Sequence, residues 1–551
     1  MTPYSITFSL LFFFFSFTKY AVCQTSPAPT VVIPQATIIG TTTTLPSATA
    51  VVNKFLGIPF AISPPDRFEP PEPVEDSDDT IHATQWRDRC FEMTSGSPTA
   101  PGDDVVSASE DCLYLNVYAP ANATDDGDKA VMFWIPGGAL QYGHSGQPIY
   151  DGSGFAAFQD VILVTINYRT NIFGFSNSPA INEDSQNVGL YDQRLALDWV
   201  NNNIASFGGD PSKITIFGES SGASSVDRLI TSPPDPVPYR AAILQSGQAS
   251  VSAMDNSGLP EWKQVVGSVG CNRTTNEADE LRCMQSINGS LINQVVQKLA
   301  ISFLPVNDNI TQRATPLVNA RSQEPSADVP IIIGTNSYEG SSLPAAYFEF
   351  AVQPNGSVSF PAIIQRLTAF LSPDLVAPIQ GKLAAALAQS PKALFFYMAE
   401  YITYLLFQCP ANLVAHANVQ AGSSTYRYYF NATFADTQQP WTYPQLNITN
   451  IGAYHSSEIG LVFGTYGIFG GNATNDEIAL SKFIQGSWAN FAKDPFAPEA
   501  PGWPAVTNNG TADIGCLGCT SSPTGVSVIT ESVDSNCSTY FPLFDKSLPS
   551  Y

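Results

Sequence analysis

Apolar positions along the chain fall into two recurring patterns. Short, largely unbroken runs occur at Ala130–Ile135, Val161–Ile166, Ile214–Phe217, Ala241–Gln245 and Val329–Thr335. A strand with one wet face alternates, so unbroken runs of this length predict strands covered on both sides. Between them the spacing turns helical. From Asn187 to Phe207 the residues Leu195, Leu197, Trp199, Val200 and Ile204 form an inward stripe, and Glu477–Ala492 predicts a closing helix. Strand and helix alternating on this scale imply an α/β fold with a mostly parallel central sheet and helices on both faces. Thr30–Ala61, rich in Thr, Val, Ile and Pro, reads as short strands and turns, and Tyr426–Phe430 as a late strand. Residues 345–420 are helical and aromatic in pattern, with Phe395-Phe396-Tyr397 and Tyr401–Phe407 conspicuous. They predict a helical insertion.

The amino-terminal end has a different character. Ile6–Phe17 is an apolar run dominated by phenylalanine, followed by the small residues Ala21-Val22-Cys23. This predicts a secretory signal peptide over residues 1–23 and one domain over 24–551, although Lys and Arg are missing ahead of the run. The run is too short to span a bilayer comfortably, and no hydrophobic tail of the GPI type closes the chain. The formal charge of −24 argues against a nucleic-acid partner, because neutralising phosphates needs a basic surface. Nine cysteines less Cys23 leave an even number, as an oxidising compartment favours. Asn-x-Ser/Thr sequons begin at Asn122, Asn272, Asn288, Asn309, Asn355, Asn431, Asn447, Asn472, Asn509 and Asn536. A secreted, extracellular protein follows from these features together.

Candidate chemistry centres on Ile214-Thr215-Ile216-Phe217-Gly218-Glu219-Ser220-Ser221-Gly222-Ala223. A strand runs straight into Gly-x-Ser-x-Gly, the pattern of a nucleophile elbow. There a serine rides a sharp strand-to-helix turn, and its flanking glycines allow close backbone approach. With Phe207-Gly208-Gly209-Asp210-Pro211 ahead of it, the segment resembles the active-serine segment of the type-B carboxylesterase/lipase family. Phe55–Ala61 and Glu110–Val117 resemble two further motifs of that family. The resemblance implies an α/β-hydrolase fold with the helical insertion over the catalytic edge, and serine ester hydrolysis by Ser220.

A serine needs a base, and the base needs an orienting acid. His82, His144, His416 and His455 are the only histidines. Gly452–Ile459 resembles the family's histidine loop, which implies His455 as the base. Asn336–Gly340, after a predicted strand, resembles the segment that supplies Glu339 as the acid. The chain order Ser220, Glu339, His455 is that of α/β-hydrolases. Ser246 matches a family position where a hydroxyl supports the acid, and His144 lies near the glycine turn. Oxyanion donors, by resemblance, are the N–H groups of Gly138, Ala139 and Ser221. Here the chain departs from the family: it reads Gly137-Gly138-Ala139-Leu140 where three glycines and a phenylalanine are usual.

The remaining expectations concern bridges and substrates. Cys90 pairs with Cys112 and Cys271 with Cys283, both pairs local and matching family positions. Cys409 and Cys537 resemble a family pair, which leaves Cys516 with Cys519. Cys516-Leu517-Gly518-Cys519 looks like a zinc half-site, but no second pair at ligand spacing accompanies it, so no metal or other cofactor is expected. The substrate is a small neutral ester. Alternatives are a lipase or sterol esterase with a long acyl tunnel, an acyltransferase or cyclase using the same serine, and a non-catalytic adhesion protein. The Cys90–Cys112 loop holds no tryptophan for a choline headgroup and no apolar stripe for an interfacial lid, which speaks against cholinesterase specificity and a large lid.

Overall fold

Alternation within the central strands decides the architecture. Along Lys129–Ile135, the side chains of Val131, Phe133 and Ile135 enter one hydrophobic cluster, while those of Ala130, Met132 and Trp134 enter another on the opposite face. Both faces are therefore dry. Helix Val188–Asn203 (α1) packs Ala196, Leu197, Trp199 and Val200 against the first cluster, as does Ser221–Thr231 (α2) with Val226, Leu229 and Ile230. The second face is covered by the helix Asn475–Lys493, which contributes Leu480, Ile484, Trp488 and Phe491. Trp134 is fully buried among Tyr150, Phe217 and Phe463, at ring separations of 5.1, 4.8 and 5.0 Å.

The computed structural model describes residues 27–541 and 544, apart from 47, 49, 94–104, 126, 250–257, 314–320, 322–325, 343–350, 352–356, 372, 439–445, 499 and 508–512. The predicted signal peptide, most of the Cys90–Cys112 loop and the start of the predicted insertion lie outside these residues. Among the described residues the main sheet has eleven strands. In chain order they are β1 (Thr41–Thr44), β2 (Val51–Pro59), β3 (Tyr114–Pro120), β4 (Lys129–Ile135), β5 (Ile162–Ile166), β6 (Gly209–Glu219), β7 (Ala241–Gln245), β8 (Ile331–Asn336), β9 (Thr425–Phe430), β10 (Ile514–Leu517) and β11 (Val526–Ile529). In space they run β11-β10-β9-β8-β7-β6-β4-β5-β3-β2-β1. From β5 through β4 and β6 to β10 all neighbours are parallel, and antiparallel pairs occur only at the two margins. This is an α/β-hydrolase sheet.

Two elements differ from their sequence reading for local reasons. β6 starts at Gly209 rather than Ile214, and its register against β4 shifts between those residues. Pro211 has no N–H to give the ladder, and the backbone N–H of Ser212 turns to Asp210 Oδ1 at 2.9 Å. The single helix expected to Phe207 stops at Asn203 and tightens into a 3₁₀ turn, Ile204–Phe207, closed by Gly208 at φ 91°. A left-handed residue ends a helix, and glycine adopts it without a Cβ clash.

From Phe360 onward the predicted insertion is helical: α3 (Phe360–Leu371), α4 (Gln380–Gln389) and α5 (Pro391–Ile402) share a third hydrophobic core, while α6 (Cys409–Gln420) places Ala411, Val414 and Ala415 in the first. Between α5 and α6 the helix widens into a π turn, Thr403–Gln408. Pro410 explains it. A proline cannot donate to the carbonyl four residues back and its ring crowds that oxygen, so the turn opens. The freed Leu406 carbonyl instead accepts the Gln248 side-chain amide at 2.9 Å. The closing helix α7 (Asn475–Lys493) begins with a Thr474/Glu477 capping box. Disulfides join Cys90–Cys112, Cys271–Cys283, Cys409–Cys537 and Cys516–Cys519.

Candidate active site

Ser220 stands between β6 and α2 at φ 56°, ψ −125°, a region that side chains with a Cβ rarely occupy. Crowding holds it there. A Cβ added to Gly222 would lie 2.1 Å from the carbonyl oxygen of Ile135 in β4, and one added to Gly218 would lie 2.5 Å from the carbonyl carbon of Gly222. No larger residue fits either flank, so the turn is pinned against the end of β4. The Ser220 N–H donates to Gln245 O of β7 at 2.8 Å, which ties the turn to its other neighbour.

The glycine turn after β4 faces this elbow. Gly138, Ala139 and Leu140 have φ of 119°, 57° and 60°, so two residues with side chains accept the left-handed region. The Leu140 N–H donates to Ser221 Oγ at 3.0 Å, clamping the turn to the first residue of α2. Among the described hydrogen bonds, the N–H groups of Gly138, Ala139 and Ser221 reach no protein acceptor. Unspent donors at a helix start are what a developing oxyanion needs.

Glu339 follows β8, and His455 lies on the loop from 446 to 458; Nδ1 of His455 is 2.7 Å from Oε2 of Glu339. A carboxylate only accepts, so the imidazole donates from Nδ1; in the neutral ring Nε2 is then the acceptor nitrogen. The other Glu339 oxygen, Oε1, accepts the Asn336 N–H at 2.6 Å. Ser246, buried at the end of β7, makes no hydrogen bond to this carboxylate. Its expected support comes from the Asn336 backbone instead. Asn336 also donates from its side chain to Tyr454 O at 2.8 Å and to Glu458 Oε2 at 2.6 Å, joining the acid to the histidine loop.

Sequence reasoning passed over two carboxylates and one ring. Glu219 Oε1 lies 3.3 Å from His455 Nε2 and accepts Ser456 Oγ–H at 2.6 Å. Glu458 Oε1 accepts from Gln245, whose oxygen in turn accepts the Trp488 indole N–H at 2.9 Å. Phe407, on the π turn, places its ring 4.6 Å from the imidazole. Each sits inside or beside a motif already in view, since Glu219 is the second residue of the Gly-x-Ser-x-Gly pattern. Their signal was adjacency, which says nothing about side-chain direction. Of the other histidines, His144 is buried near the glycine turn, His82 lies on a short outlying strand, and His416 is on α6.

Electrostatics follow from three buried carboxylates around one imidazole. Burial pushes Glu219 up to about 8, against the pull of His455. Burial likewise raises Glu458, with the charge of Glu339 adding to it. For His455 burial acts downward, but Glu219 and then Glu339 outweigh it and lift the imidazole to about 9. Carboxylates placed around the ring favour the charged form of the imidazole. Among the described residues, the contact of Nε2 is with Glu219 rather than with Ser220, and catalytic hydrogen bonds commonly tighten only with substrate bound.

Comparison with known proteins agrees with this architecture. The profile of the carboxylesterase family matches residues 27–523. The chain is 35% identical to carboxylesterase 5A of Felis catus over 493 residues, covering 85% of this chain and 87% of that one. It is 32% identical to liver carboxylesterase B-1 of Rattus norvegicus, over 89% and 91% of the two chains. It is also 31% identical to acetylcholinesterase-1 of Trittame loki, over 80% and 82%. By the extent of these matches and by its sheet, the chain belongs to the carboxylesterase family and is a carboxylic ester hydrolase of the α/β-hydrolase fold.

Proposed function

We propose that this ester hydrolase is a secreted serine carboxylesterase that cleaves small neutral esters through an acyl-enzyme. Ser220 is the nucleophile, His455 the general base and Glu339 the acid that orients it. The observation that carries the reading is the 2.7 Å contact between His455 Nδ1 and Glu339 Oε2, beside a serine held at φ 56°. In the reaction Nε2 takes the Ser220 proton while Oγ attacks the ester carbonyl. The N–H groups of Gly138, Ala139 and Ser221 receive the oxyanion. The imidazolium then gives its proton to the departing alcohol, and water repeats the sequence on the acyl-enzyme.

Secretion is supported by the four disulfides and the sequons, which belong to an oxidising route. Among the described residues no helix is long and apolar enough to cross a membrane. An uncharged fluorophosphonate should label the protein once, at Ser220. Labelling elsewhere sinks the assignment. A panel of uncharged esters, a choline ester and a short-chain triglyceride tests the substrate class. Preference for the choline ester over its uncharged isostere, or a jump in rate when triglyceride droplets form, would overturn that part.

A further inference from the structure

A cavity of about 800 Å³ lies behind the acid and base loops. Tyr338, Phe396, Tyr404 and Tyr429 give it aromatic walls, and Glu400 and Asn450 line it with polar groups. Ser220 is not among its lining residues, so it is separate from the site of acyl transfer. Its size falls in the range of pockets that enclose a ligand of two or three rings, about 300–1,000 Å³. Rings with hydrogen-bonding edges suit such walls. A pyranose has both: a C–H face that packs on a phenol or phenyl ring, and hydroxyls for a carboxylate or amide.

The rim carries its own attachment point. Asn431 and Thr433, the first and third residues of the sequon Asn431-Ala432-Thr433, both line the cavity and are both exposed. Asn431 directly follows β9, and its N–H donates to Leu517 O at 3.0 Å, so a rigid strand end fixes where its side chain starts. Its Nδ2 has only a 3.9 Å contact with Cys519 Sγ, a weak acceptor, so little is lost by substituting it.

We propose that Asn431 carries an N-linked glycan whose two inner N-acetylglucosamine residues sit in this cavity. The inference rests on the secretory reading above, which supplies the sugar donor, a polyisoprenyl-pyrophosphate oligosaccharide. In the transfer Nδ2 loses a proton and bonds to C1 of the first sugar. The C1–O bond to the donor breaks, and polyisoprenyl pyrophosphate leaves. Attachment precedes folding, so the chain then folds around the sugar.

Seated there, the glycan touches both loops that carry the acid–base pair, at Tyr338 and at Gly452 and Ala453. Tyr338 is next to Glu339 in the chain, and its N–H donates to Ala453 O at 2.9 Å. Its ring packs so tightly on Gly452 that an added Cβ would lie 2.5 Å away. The sugar thus braces the stitch between the acid loop and the histidine loop, without contacting a reacting atom.

Glycopeptide mass spectrometry of the full chain, from a secreting eukaryotic host, should find Asn431 occupied. Native peptide-N-glycosidase should release that glycan at least about tenfold more slowly than the one at Asn122, the factor that roughly 1.4 kcal/mol of seating provides. Asn122 is an exposed turn residue and serves as the open control. After denaturation the two rates should converge. Phe396→Ser should abolish the difference in release rate. A bare Asn431 in a chain glycosylated elsewhere overturns the inference, as does release as fast as at Asn122. A chain bare at every sequon removes the secretory reading as well, which separates the two failures.

Discussion

The two halves of the candidate active site are held in place by different physics. On the nucleophile side, Gly218 to Gly222 and the turn Gly137–Leu140 are positioned by backbone. Positive φ angles, carbonyls with no room for a Cβ, and a clamp from Leu140 N–H to Ser221 Oγ set the geometry. On the acid–base side, Glu339 and His455 are 116 residues apart and meet through side chains. Asn336, Glu458, Gln245 and Trp488 form one buried chain of hydrogen bonds behind them, and the π turn adds Phe407 and Thr403, whose Oγ1 accepts the Gly340 N–H at 2.9 Å. The difference teaches where each half is vulnerable. A backbone-built site fails when residue size changes locally. A side-chain-built site fails when any distant member of its network is lost, and it responds to pH.

The largest effect should come from Ser220→Ala. Without the nucleophile only binding and oxyanion stabilisation remain, so kcat should fall by roughly 10⁴-fold or more while the thermal midpoint holds. A wild-type kcat in this variant would break the nucleophile half of the comparison. Glu339→Gln should lower kcat by roughly 10³-fold, because the imidazole loses its orienting charge and correct tautomer. A smaller loss, within about tenfold, would mean that Glu219 or Glu458 orients the imidazole instead.

Distant support is tested at Asp534. It pairs with Arg427 of β9 in the interior and accepts Asn412 of α6 at 3.0 Å, coupling the helical insertion to the sheet. Asp534→Ala leaves Arg427 buried and uncompensated, at a cost of about 3–5 kcal/mol, measurable by urea unfolding. If the fluorophosphonate reaction also slows in the folded variant, the insertion positions the acid–base side. Unchanged labelling would show that it only stabilises the fold.

Glu219→Gln sharpens the electrostatic contrast. Glu219 is the largest upward influence on His455, which stands at about 9 against an ordinary 6.5. Removing that charge lowers the imidazole pKa, so the acidic limb of kcat/KM should move to lower pH and more base should be active at neutrality. An unmoved limb would show that Glu219 is already protonated in the free enzyme. The smallest effect belongs to Ala139→Gly. Ala139 holds φ 57°, and glycine relieves that strain at some gain in unfolded-state freedom, for a net stabilisation of up to about 1 kcal/mol. Destabilisation there would mean that the methyl packs productively.

Much of this molecule was legible in one dimension. Unbroken apolar runs such as Ala130–Ile135, alternating with stretches of helical spacing, read as strands covered on both faces, so the layered fold followed from pattern. The elbow was legible because its determinants are contiguous: strand, glycine, serine, glycine, helix. Glu339 and His455 were reached through short motifs that resemble those of a family, without any view of their contact. Tertiary structure decided the rest. Whether Glu219 faces solvent or the imidazole depends on a side-chain direction that no neighbour in sequence encodes. Support for Glu339 came from the Asn336 backbone rather than the Ser246 hydroxyl, because where β8 ends relative to β7 sets which donor reaches the carboxylate. The π turn has its cause in Pro410, yet its consequence, a phenyl ring against His455, exists only once α5 and α6 pack over the sheet. Local backbone preferences act over a few residues and can be read from them. Long-range burial of charge is settled only when distant segments compete for the same small, dry space.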